Sequence, residues 1–418
     1  MKRMHDIIVV GGGIVGACIA RTARARTGAS VLLLDKSSSS CLPEHGSARN
    51  SGVMHAGFYY TGDSLKAKLT RKGNVFLHQY CQERGIPVNE CGKLVLARSE
   101  AEMTQYDVLL ARAAANGAPL ERVSPKEVLE LEPLARSEFG GLWSPSTATA
   151  DPVQVTRSLL QDAVREGVIL RPDSHVQRLV PDGDGVRVCL HSGESTAAAH
   201  VVNCAGLHAD TFAHQLGFGR RYSILPFKGL YMQCVGLPLR RLVYPVPQLR
   251  GDGGHAPFLG VHFTVTAAGG VKIGPTAIPA LWREQYAGLQ GFNLQEMLGV
   301  LATQLRLALG SDFNFRRLAA QEVMKYIPSV MQAGARDLVP SAGPQHFGAF
   351  SRAGIRAQLV DTERGSLEMD FIVEGGTSST HILNAVSPGW TCSQPFAEMV
   401  VQDHVLPALR RSSSTAVA

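Results

Sequence analysis

A short apolar run followed at once by closely spaced glycines is the feature that most restricts how this chain can fold. Residues 7–10 read Ile-Ile-Val-Val, and Gly11, Gly13 and Gly16 follow with the spacing G-x-G-x-x-G. A β-branched apolar run of this length is typical of a strand that is buried on both faces. Small residues then continue from Ala17. The pattern therefore predicts a strand, a tight turn and a helix in immediate succession.

The predicted turn is suited to bind the diphosphate of a dinucleotide. In such a unit Gly11 permits the turn, Gly13 lets the backbone approach the diphosphate, and Gly16 lets helix and strand pack closely. The diphosphate lies on free N–H groups at the positive end of the helix. A second apolar run, residues 31–34, ends in Asp35, whose carboxylate is placed to accept hydrogen bonds from an adenosine ribose. These residues alone do not separate FAD from NAD, although an acid at this position argues against NADP.

Length and composition fit a two-domain protein with mostly buried sheets. The chain has 418 residues, of which 45% are hydrophobic, 18% are charged and 43 are glycine. This mixture argues against a coiled coil, a disordered chain or a charged solenoid. The chain has 41 Lys and Arg against 35 Asp and Glu, which is a mild excess of positive charge. The basic residues do not cluster at a spacing that would place them on one face of a helix or strand, so we expect no nucleic-acid partner. The mild excess leaves room for an anionic substrate or a weak preference for membrane surfaces.

The cysteines and the hydropathy pattern indicate the compartment. Eight cysteines are scattered without a Cys-x-x-Cys motif, so we expect no metal site and reduced thiols in a cytoplasmic protein. No run of about 18 apolar residues occurs, so we expect no integral membrane segment, and no amphipathic helix stands out. Lys2 and Arg3 superficially resemble the start of a signal peptide, but Asp6 and the glycines favour a strand and turn. We therefore expect an unprocessed cytoplasmic chain, with peripheral membrane contact left open.

Two segments after the turn carry a resemblance to a known family. Residues 50–60 read Asn-Ser-Gly-Val-Met-His-Ala-Gly-Phe-Tyr-Tyr, and residues 64–69 read Ser-Leu-Lys-Ala-Lys-Leu. Together they resemble the FAD-dependent D-amino-acid oxidase superfamily, and most closely its L-2-hydroxyglutarate dehydrogenase/oxidase branch, which has isoleucine in place of Met54 and Phe58. The similarity runs from about residue 4 to residue 401. It implies FAD as the cofactor and a small-molecule acid as the substrate.

The resemblance also implies a fold. We expect an α/β protein with a Rossmann-like FAD-binding domain and a discontinuous mixed-sheet substrate domain, like that of D-amino-acid oxidase. Residues 1–85, 146–220 and 341–418 would form the FAD-binding domain, and residues 86–145 and 221–340 would form the substrate domain.

The residues expected at FAD come from both glycine-rich turns, the two strand ends beside them and the segment near the C-terminus. They are Gly11, Gly13, Ile14, Val15, Gly16, Asp35, Lys36, Arg49, Asn50, Ser51, Gly52, Val176, Ala205, Gly206, Arg356, Asn384, Pro388 and Gly389.

The implied reaction, oxidation of a 2-hydroxy acid, requires three groups. A flavin must receive hydride from the α carbon, a base must take the hydroxyl proton, and cations must hold the carboxylates. His55 and His262 lie in segments that resemble the branch and are the candidate bases, since imidazole titrates near neutral pH. For His262 a role as a hydrogen-bonded orienting group stays equally open.

The candidate substrate-binding residues are cations, hydroxyl groups and one large ring: Tyr60, Lys228, Tyr231, Arg356 and Trp390. Lys66 and Lys68 stand on a predicted helix, and we expect both to face solvent.

Two positions depart from the branch and leave alternatives open. Arg49 stands where the branch has a histidine beside the flavin, so covalent flavin attachment is not implied. Trp390 replaces a small residue near the flavin ring, where it either packs in the core or reshapes the pocket. A second hypothesis is therefore an amino-acid or amine oxidase, or a biosynthetic tailoring flavoenzyme acting on an aromatic acid, and a third is a flavin-binding scaffold without activity. The sequence leaves the electron acceptor open between oxygen and a quinone, and it does not indicate the oligomeric state.

Overall fold

The structure, a computed structural model, describes residues 5–247, 260–311 and 314–415. Its helices are α1 (Ile14–Thr27), α2 (Leu65–Arg84), α3 (Glu100–Asn116), α4 (Pro125–Leu131), α5 (Pro152–Arg165), α6 (Ala209–Gln215), α7 (Leu294–Leu309), α8 (Phe315–Val323), α9 (Pro328–Arg336), α10 (Ser393–Val400) and α11 (Leu406–Thr415). Its strands are β1 (His5–Val10), β2 (Val31–Leu34), β3 (Val53–Met54), β4 (Val88–Asn89), β5 (Lys93–Leu96), β6 (Glu121–Val123), β7 (Gly141–Ser144), β8 (Ala148–Ala150), β9 (Ile169–Arg171), β10 (Val176–Asp182), β11 (Gly185–Leu190), β12 (Ser195–Asn203), β13 (Tyr222–Gly229), β14 (Met232–Cys234), β15 (Leu242–Pro245), β16 (His262–Val265), β17 (Val271–Gly274), β18 (Ile278–Pro279), β19 (Phe347–Phe350), β20 (Gly354–Asp361), β21 (Ser366–Leu367), β22 (Ile372–Gly375) and β23 (Ser379–Asn384).

The first sheet is a Rossmann-like sheet built around β1. Its strand order is β10–β11–β12–β1–β2–β9, and β23 also pairs with β12 and carries β22 at its edge. β1 runs parallel to both β2 and β12, and the apolar run that forms it is fully buried, as its composition predicts. Side chains of α1, α5 and α10 share one core with this sheet. The predicted α/β class with a Rossmann-like sheet is confirmed.

Two further sheets complete the walls around the site. The second has the order β18–β13–β20–β21 and is antiparallel. The third has the order β19–β14–β17–β16–β15–β5–β7–β6 and is mixed, since β5 runs parallel to β15. Helices α7 and α8 cover the second sheet through Val300, Leu307 and Phe315, and α9 packs on the third. A small sheet of β3, β8 and β4 lies apart from these.

The sheets draw on the chain discontinuously. Every strand of the first sheet comes from residues 1–85, 146–220 or 341–418, while most of the third comes from residues 86–145 and 221–340. Strands β19, β20 and β21 follow residue 341 but pair with β14 and β13 rather than with the first sheet. The division into two domains at those boundaries remains our proposal.

Within the described ranges, each helix is too short or too polar to cross a bilayer.

Candidate active site

A cavity of about 1300 Å³ extends from the carboxyl ends of β1, β2 and β12 to residues of the second and third sheets. Ligands of open α/β sheets bind at this edge of the strands. Sites for one drug-sized ligand typically measure roughly 300–1,000 Å³, so this cavity has room for a dinucleotide and a small substrate together. Most residues predicted from the sequence line it, namely Gly11, Gly13, Ile14, Val15, Gly16, Asp35, Lys36, Arg49, Asn50, Ser51, His55, Tyr60, Val176, Ala205, Gly206, Tyr231, His262, Arg356, Pro388, Gly389 and Trp390.

Two glycines of the turn at one end of the cavity have no space for a side chain. Gly11 has φ +108°, and a Cβ there would lie 2.4 Å from the carbonyl oxygen of Cys204 at the end of β12. A Cβ on Gly16 would lie 1.9 Å from the carbonyl oxygen of Gly11. The turn is thus pressed between β12 and α1, as the glycine spacing predicts.

The start of α1 fits the diphosphate of FAD. The N-cap residue Gly13 has no side chain to accept from the first N–H groups, which leaves donors at a positive helix end facing the cavity. One of them, the Ile14 N–H, donates to Ser47 Oγ at 2.8 Å. A glycine cradle at a helix start without an N-cap side chain is the arrangement that suits a dinucleotide diphosphate.

Asp35 does more than the sequence predicted. Its Oδ2 accepts from the Gly12 N–H at 2.6 Å and its Oδ1 from the Ser37 N–H at 2.7 Å. The carboxylate therefore holds the glycine turn against the end of β2 while it lines the cavity. Its contact with a ribose remains a prediction.

Lys36 reaches the cavity as part of a charged cluster. It forms an ion pair with Glu284, which lies between β18 and α7 and also accepts from His208 Nε2 at 3.2 Å. Burial alone would raise the pKa of Glu284, but His208 and Lys36 hold it well below its usual range. His208 is thus a satisfied, half-buried histidine. Glu284 was not identified from the sequence, since it is far from both turns along the chain.

The glycine turn leads to a first prediction, which is that Gly13→Val weakens FAD binding. The φ of Gly13 is −66°, which valine tolerates, and only Ser47 Oγ lies within 4 Å of the new Cβ. We therefore expect a folded protein whose FAD affinity falls about tenfold or more, a loss of at least about 1.4 kcal/mol. Flavin absorbance per mole of purified protein measures this. Gly28→Asn, at the open C-terminal cap of the same helix, is the control and should retain FAD, whereas full flavin content in Gly13→Val would contradict the assignment.

At the other end of the cavity, the backbone fixes the tautomer of His262. Its Nδ1 lies 2.9 Å from the carbonyl oxygen of Gly260, and because a carbonyl only accepts, Nδ1 carries the proton and Nε2 keeps its lone pair. The ring stacks on Tyr244 with 3.8 Å between centroids. Burial lowers the pKa of His262 to about 3. The imidazole is therefore neutral at physiological pH and presents an acceptor nitrogen.

His55 lies at the same end, close to a lysine that the sequence analysis did not single out. Its Nδ1 is buried and has no hydrogen-bond partner among the described residues. Burial, and then the positive charge of Lys93, hold the pKa of His55 well below its usual range. Lys93 opens β5, and its side chain is fully buried. A single lysine before an apolar run gave no signal that its amine would be near the site.

Two cations line this end of the cavity. Arg356 in β20 pairs with Phe227 of β13, and both line the wall. Lys66, at the start of α2, is 5% exposed and also lines the wall, so the prediction that it faces solvent was wrong, although Lys68 is exposed as expected. Burial, and then the charge of Arg356, lower the pKa of Lys66 to about 8.

Two tyrosine hydroxyl groups and one carboxylate also lie at this end of the cavity. Tyr60 and Tyr231 line the cavity, and burial raises the pKa of Tyr231 to about 12, so it is a hydrogen-bond donor. Asp370 accepts from the N–H groups of Leu65 and Lys66 at 2.8 and 3.0 Å. Its carboxylate thus holds the start of α2 at the cavity wall, and its charge also acts on the amine of Lys66.

Three predicted residues do not line the cavity. Lys228 on β13 is buried and is not among the residues that line the cavity, although its neighbours Phe227 and Gly229 are. Gly52 packs on Ala150, whose carbonyl oxygen would lie 2.3 Å from a Cβ. Asn384 is fully buried and donates to the carbonyl oxygens of Glu368 and Asp370. Gly52 and Asn384 thus support the backbone around the site.

The two positions that depart from the family pattern are held by the protein itself. The Arg49 guanidinium lies 4.1 Å from the ring centroid of Tyr286 and donates to the carbonyl oxygens of Glu44 and Ala353. Trp390 is 9% exposed and belongs to the core around β1, and it also lines the cavity. Trp390 therefore packs in the core, as the first alternative predicts, and its reshaping of the pocket stays a hypothesis.

Comparison with protein families gives a match over almost the whole chain. Residues 6–402 match the sequence model of the family described as FAD dependent oxidoreductase. A protein of Salmonella houtenae called L-2-hydroxyglutarate dehydrogenase is 33% identical over 98% of this chain and 95% of its own. A mitochondrial protein of Nematostella vectensis with the same enzyme name is 34% identical over 95% of this chain and 89% of its own.

Solved structures share the fold at lower identity. L-α-glycerophosphate oxidase from Mycoplasma pneumoniae, solved with FAD bound, has a TM-score of 0.72 and 22% identity over 96% of this chain and 94% of its own. Glycine oxidase from Geobacillus kaustophilus has a TM-score of 0.67 and 17% identity over 96% of this chain and 95% of its own.

Proposed function

The chain belongs to the family of FAD-dependent oxidoreductases, and we propose that it oxidises L-2-hydroxyglutarate to 2-oxoglutarate with FAD as its cofactor. The relatives called L-2-hydroxyglutarate dehydrogenase support this substrate because their similarity spans nearly the entire chain. The likeness to glycine oxidase is one of fold and does not favour the second hypothesis, an enzyme acting on an amine. The observation that carries the proposal is the placement of Arg356 and Lys66 beside two neutral histidines at one end of the cavity.

The chain's own groups account for the proton. Bound FAD supplies the acceptor for the hydride that leaves C2 of the hydroxy acid. Nε2 of His262 takes the proton of the C2 hydroxyl, because Nδ1 is committed to the carbonyl of Gly260. His55 lies close enough for its pKa to be lowered by His262, and we assign it to orienting the hydroxyl.

The carboxylates are held by buried cations. The fork of Arg356 is suited to one carboxylate, with the Tyr60 and Tyr231 hydroxyls as further donors. The Lys66 amine is suited to the other, as a point charge. These groups are buried, so little water surrounds them, and their electrostatic interactions with the carboxylates are stronger than in water.

This assignment predicts strong selection for a dicarboxylate. L-2-Hydroxypentanoate has the same carbon chain without the distal carboxylate, and it would leave one buried cation unpaired. We expect its kcat/KM to be lower than that of L-2-hydroxyglutarate by about thirtyfold or more, since such a loss costs about 2 kcal/mol or more. Equal values for the two acids would contradict the proposed substrate.

Lys66 also predicts an effect of pH. With a pKa of about 8, its amine is charged below pH 8 and loses the charge above it, so dicarboxylate binding should weaken as the pH rises through 8. Because kcat/KM reports the free enzyme, its alkaline limb should lie near this pH and should disappear in Lys66→Met. Lys68→Met, which changes an exposed lysine of the same helix, should retain the limb. An unchanged limb in Lys66→Met would contradict the role.

The electron acceptor completes the proposal. We take it to be oxygen or a quinone, and peroxide release during turnover in air distinguishes them. We further propose that the chain acts in the cytoplasm, with peripheral attachment to a membrane.

A further inference from the structure

An exposed apolar surface covers helices α7 to α9. Of the large apolar side chains that the described residues expose, most lie between residues 289 and 330. On α7 they recur every three or four residues, which places them in one stripe along the outer face: Leu294, Leu298, Leu301, Leu305 and Leu309. Leu305 is 61% exposed and Leu309 is 75% exposed. We call this stripe, together with Phe292, Val323, Met324, Tyr326, Ile327 and Val330, the α7–α9 surface.

The stripe is unpartnered although α7 is well anchored. Its inner face packs on the second sheet through Val300 and Leu307, both nearly fully buried. The outer leucines are therefore not required for the attachment of the helix. A contiguous apolar surface of this kind on a folded protein marks an interaction site.

The exposed charges in the described part of residues 289–330 are positive. Arg306, Arg316 and Arg317 are exposed at its edge. The acids within the described part of this segment are occupied: Glu322 is buried against Lys325, and Glu296 faces His208 and the backbone of Arg283. The α7–α9 surface thus combines aliphatic side chains, one tyrosine and exposed arginines.

We propose that the α7–α9 surface docks on an anionic phospholipid membrane. Leucines would enter the acyl boundary, Tyr326 would lie at the interface, and the arginines would contact lipid phosphates. A second copy of the chain fits less well, because a two-fold dimer through this surface would bring the same arginines together. Phe292 belongs both to this surface and to the cavity wall, so docking would place the cavity rim near the bilayer.

The test is sedimentation of the FAD-loaded full chain with vesicles of phosphatidylcholine, alone or with phosphatidylserine. We expect binding to the mixed vesicles, release by salt, and loss of binding in Leu298→Glu/Leu305→Glu with activity toward a soluble dye unchanged. Leu129→Glu, an exposed leucine on α4, should bind like wild type. Arg316→Gln/Arg317→Gln should bind about 25-fold more weakly, at roughly fivefold per arginine.

Other outcomes would overturn this proposal. The wild-type chain could stay in the supernatant with every lipid, or the leucine variant could sediment as wild type does. A wild-type dimer that Leu298→Glu/Leu305→Glu converts to a monomer would show that a second copy covers the surface.

A different observation, the environment of Lys93, carries a second inference. Its Nζ makes no hydrogen bond among the described residues and lies 4.3, 5.1 and 5.6 Å from the ring centroids of Tyr244, Tyr59 and Phe58. Tyr244 is the ring on which His262 stacks. The amine therefore lies in an aromatic cage that includes the ring on which the candidate base stacks.

No acid is among the described groups that shift the pKa values of Lys93, His55 and His262; Glu322 is paired with Lys325 and acts on Arg356. The titratable groups that influence them are Arg356, Lys272, Lys325, Cys91 and the tyrosines of the cage. Burial raises the pKa values of Cys91 and Tyr244, so neither carries negative charge at neutral pH. Burial lowers the pKa of Lys93 to about 7, and below that pH the amine is charged.

We propose that Lys93 is a positioning residue whose charge keeps His55 and His262 neutral as the pH falls. The inference rests on the proposed function, which gives the two histidines their roles, but the titration of the histidines can be followed without substrate. In Lys93→Met, loss of the charge should move the titration of both imidazoles to higher pH, as followed by NMR of labelled histidine, with His55→Asn and His262→Asn to assign the signals. Lys93→Arg should restore the wild-type titration.

Activity separates this role from a merely structural one. The acid limb of kcat/KM should move to higher pH in Lys93→Met, whereas a packing defect would lower activity equally at all pH values. Unchanged imidazole titration in a folded Lys93→Met would overturn the proposal, whether or not L-2-hydroxyglutarate is the substrate.

Discussion

Arg356→Met is expected to lower kcat/KM for L-2-hydroxyglutarate by about 100-fold or more, because leaving a buried carboxylate unpaired costs on the order of 3 kcal/mol. Arg356 lines the cavity beside Tyr60 and Tyr231, and both tyrosines would be left to hold the same carboxylate. The loss should be in binding, so KM should rise more than kcat falls. FAD content should be retained, since the diphosphate cradle lies at the other end of the cavity.

Two matched variants make this result specific. Arg356→Lys keeps the charge but not the two-pronged geometry, so it should recover only part of the loss. Lys228→Met changes a buried cation on the neighbouring strand that does not line the cavity, and it should retain near wild-type kcat/KM. If kcat/KM fell as far in Lys228→Met as in Arg356→Met, the sequence-based assignment of Lys228 to the substrate would be right. The assignment of Arg356 as the specific carboxylate-binding residue would then be wrong.

His262→Ala is expected to retain FAD and to lower kcat by about 10²–10⁴-fold, the usual contribution of a positioned base. The reason is geometric, since the hydrogen bond to Gly260 leaves Nε2 as the proton acceptor. The Nδ1 of His55 has no hydrogen-bond acceptor among the described residues to fix its tautomer. His55→Ala should therefore lower kcat less than His262→Ala does. Stopped-flow reduction of the flavin measures both. A larger loss in His55→Ala would exchange the two roles, and full activity in His262→Ala would remove that histidine from the mechanism.

The pH profile adds an independent check on His262. Burial lowers its pKa to about 3, and a base is active in its unprotonated form, which persists above that pKa. The acid limb of kcat/KM should therefore lie below the ordinary histidine range. A limb near the pKa of an unperturbed imidazole, about 6.5, would show that the ring is less buried than the structure indicates.

The nucleotide end of the site was predictable because backbone geometry determines it. Gly11 and Gly16 leave no room for a Cβ, and a buried strand must precede such a turn. The substrate end was less predictable. Lys66 was assigned to solvent because helical spacing does not show that Asp370, some 300 residues later, would bring the start of α2 to the cavity.

The side chains of β13 are a second feature that the sequence did not predict. Residues on both faces of the β13–β20 pair line the cavity, among them Arg356 and Ile355, so alternation along β13 does not predict which side chains reach it. Lys228 was chosen for its charge and is not among the lining residues. The stripe on α7 was missed for a similar reason. Its buried Val300 and Leu307 and its exposed leucines are all apolar, so the helix shows little contrast between faces until its packing is known.

The most direct test of the central claim is anaerobic reduction of the bound flavin by single acids. L-2-Hydroxyglutarate should bleach the flavin and yield one equivalent of 2-oxoglutarate, while D-2-hydroxyglutarate and L-glutamate should leave the flavin oxidised. Bleaching by amino or aromatic acids, with none by L-2-hydroxyglutarate, would retain the fold and the cofactor and contradict the proposed reaction.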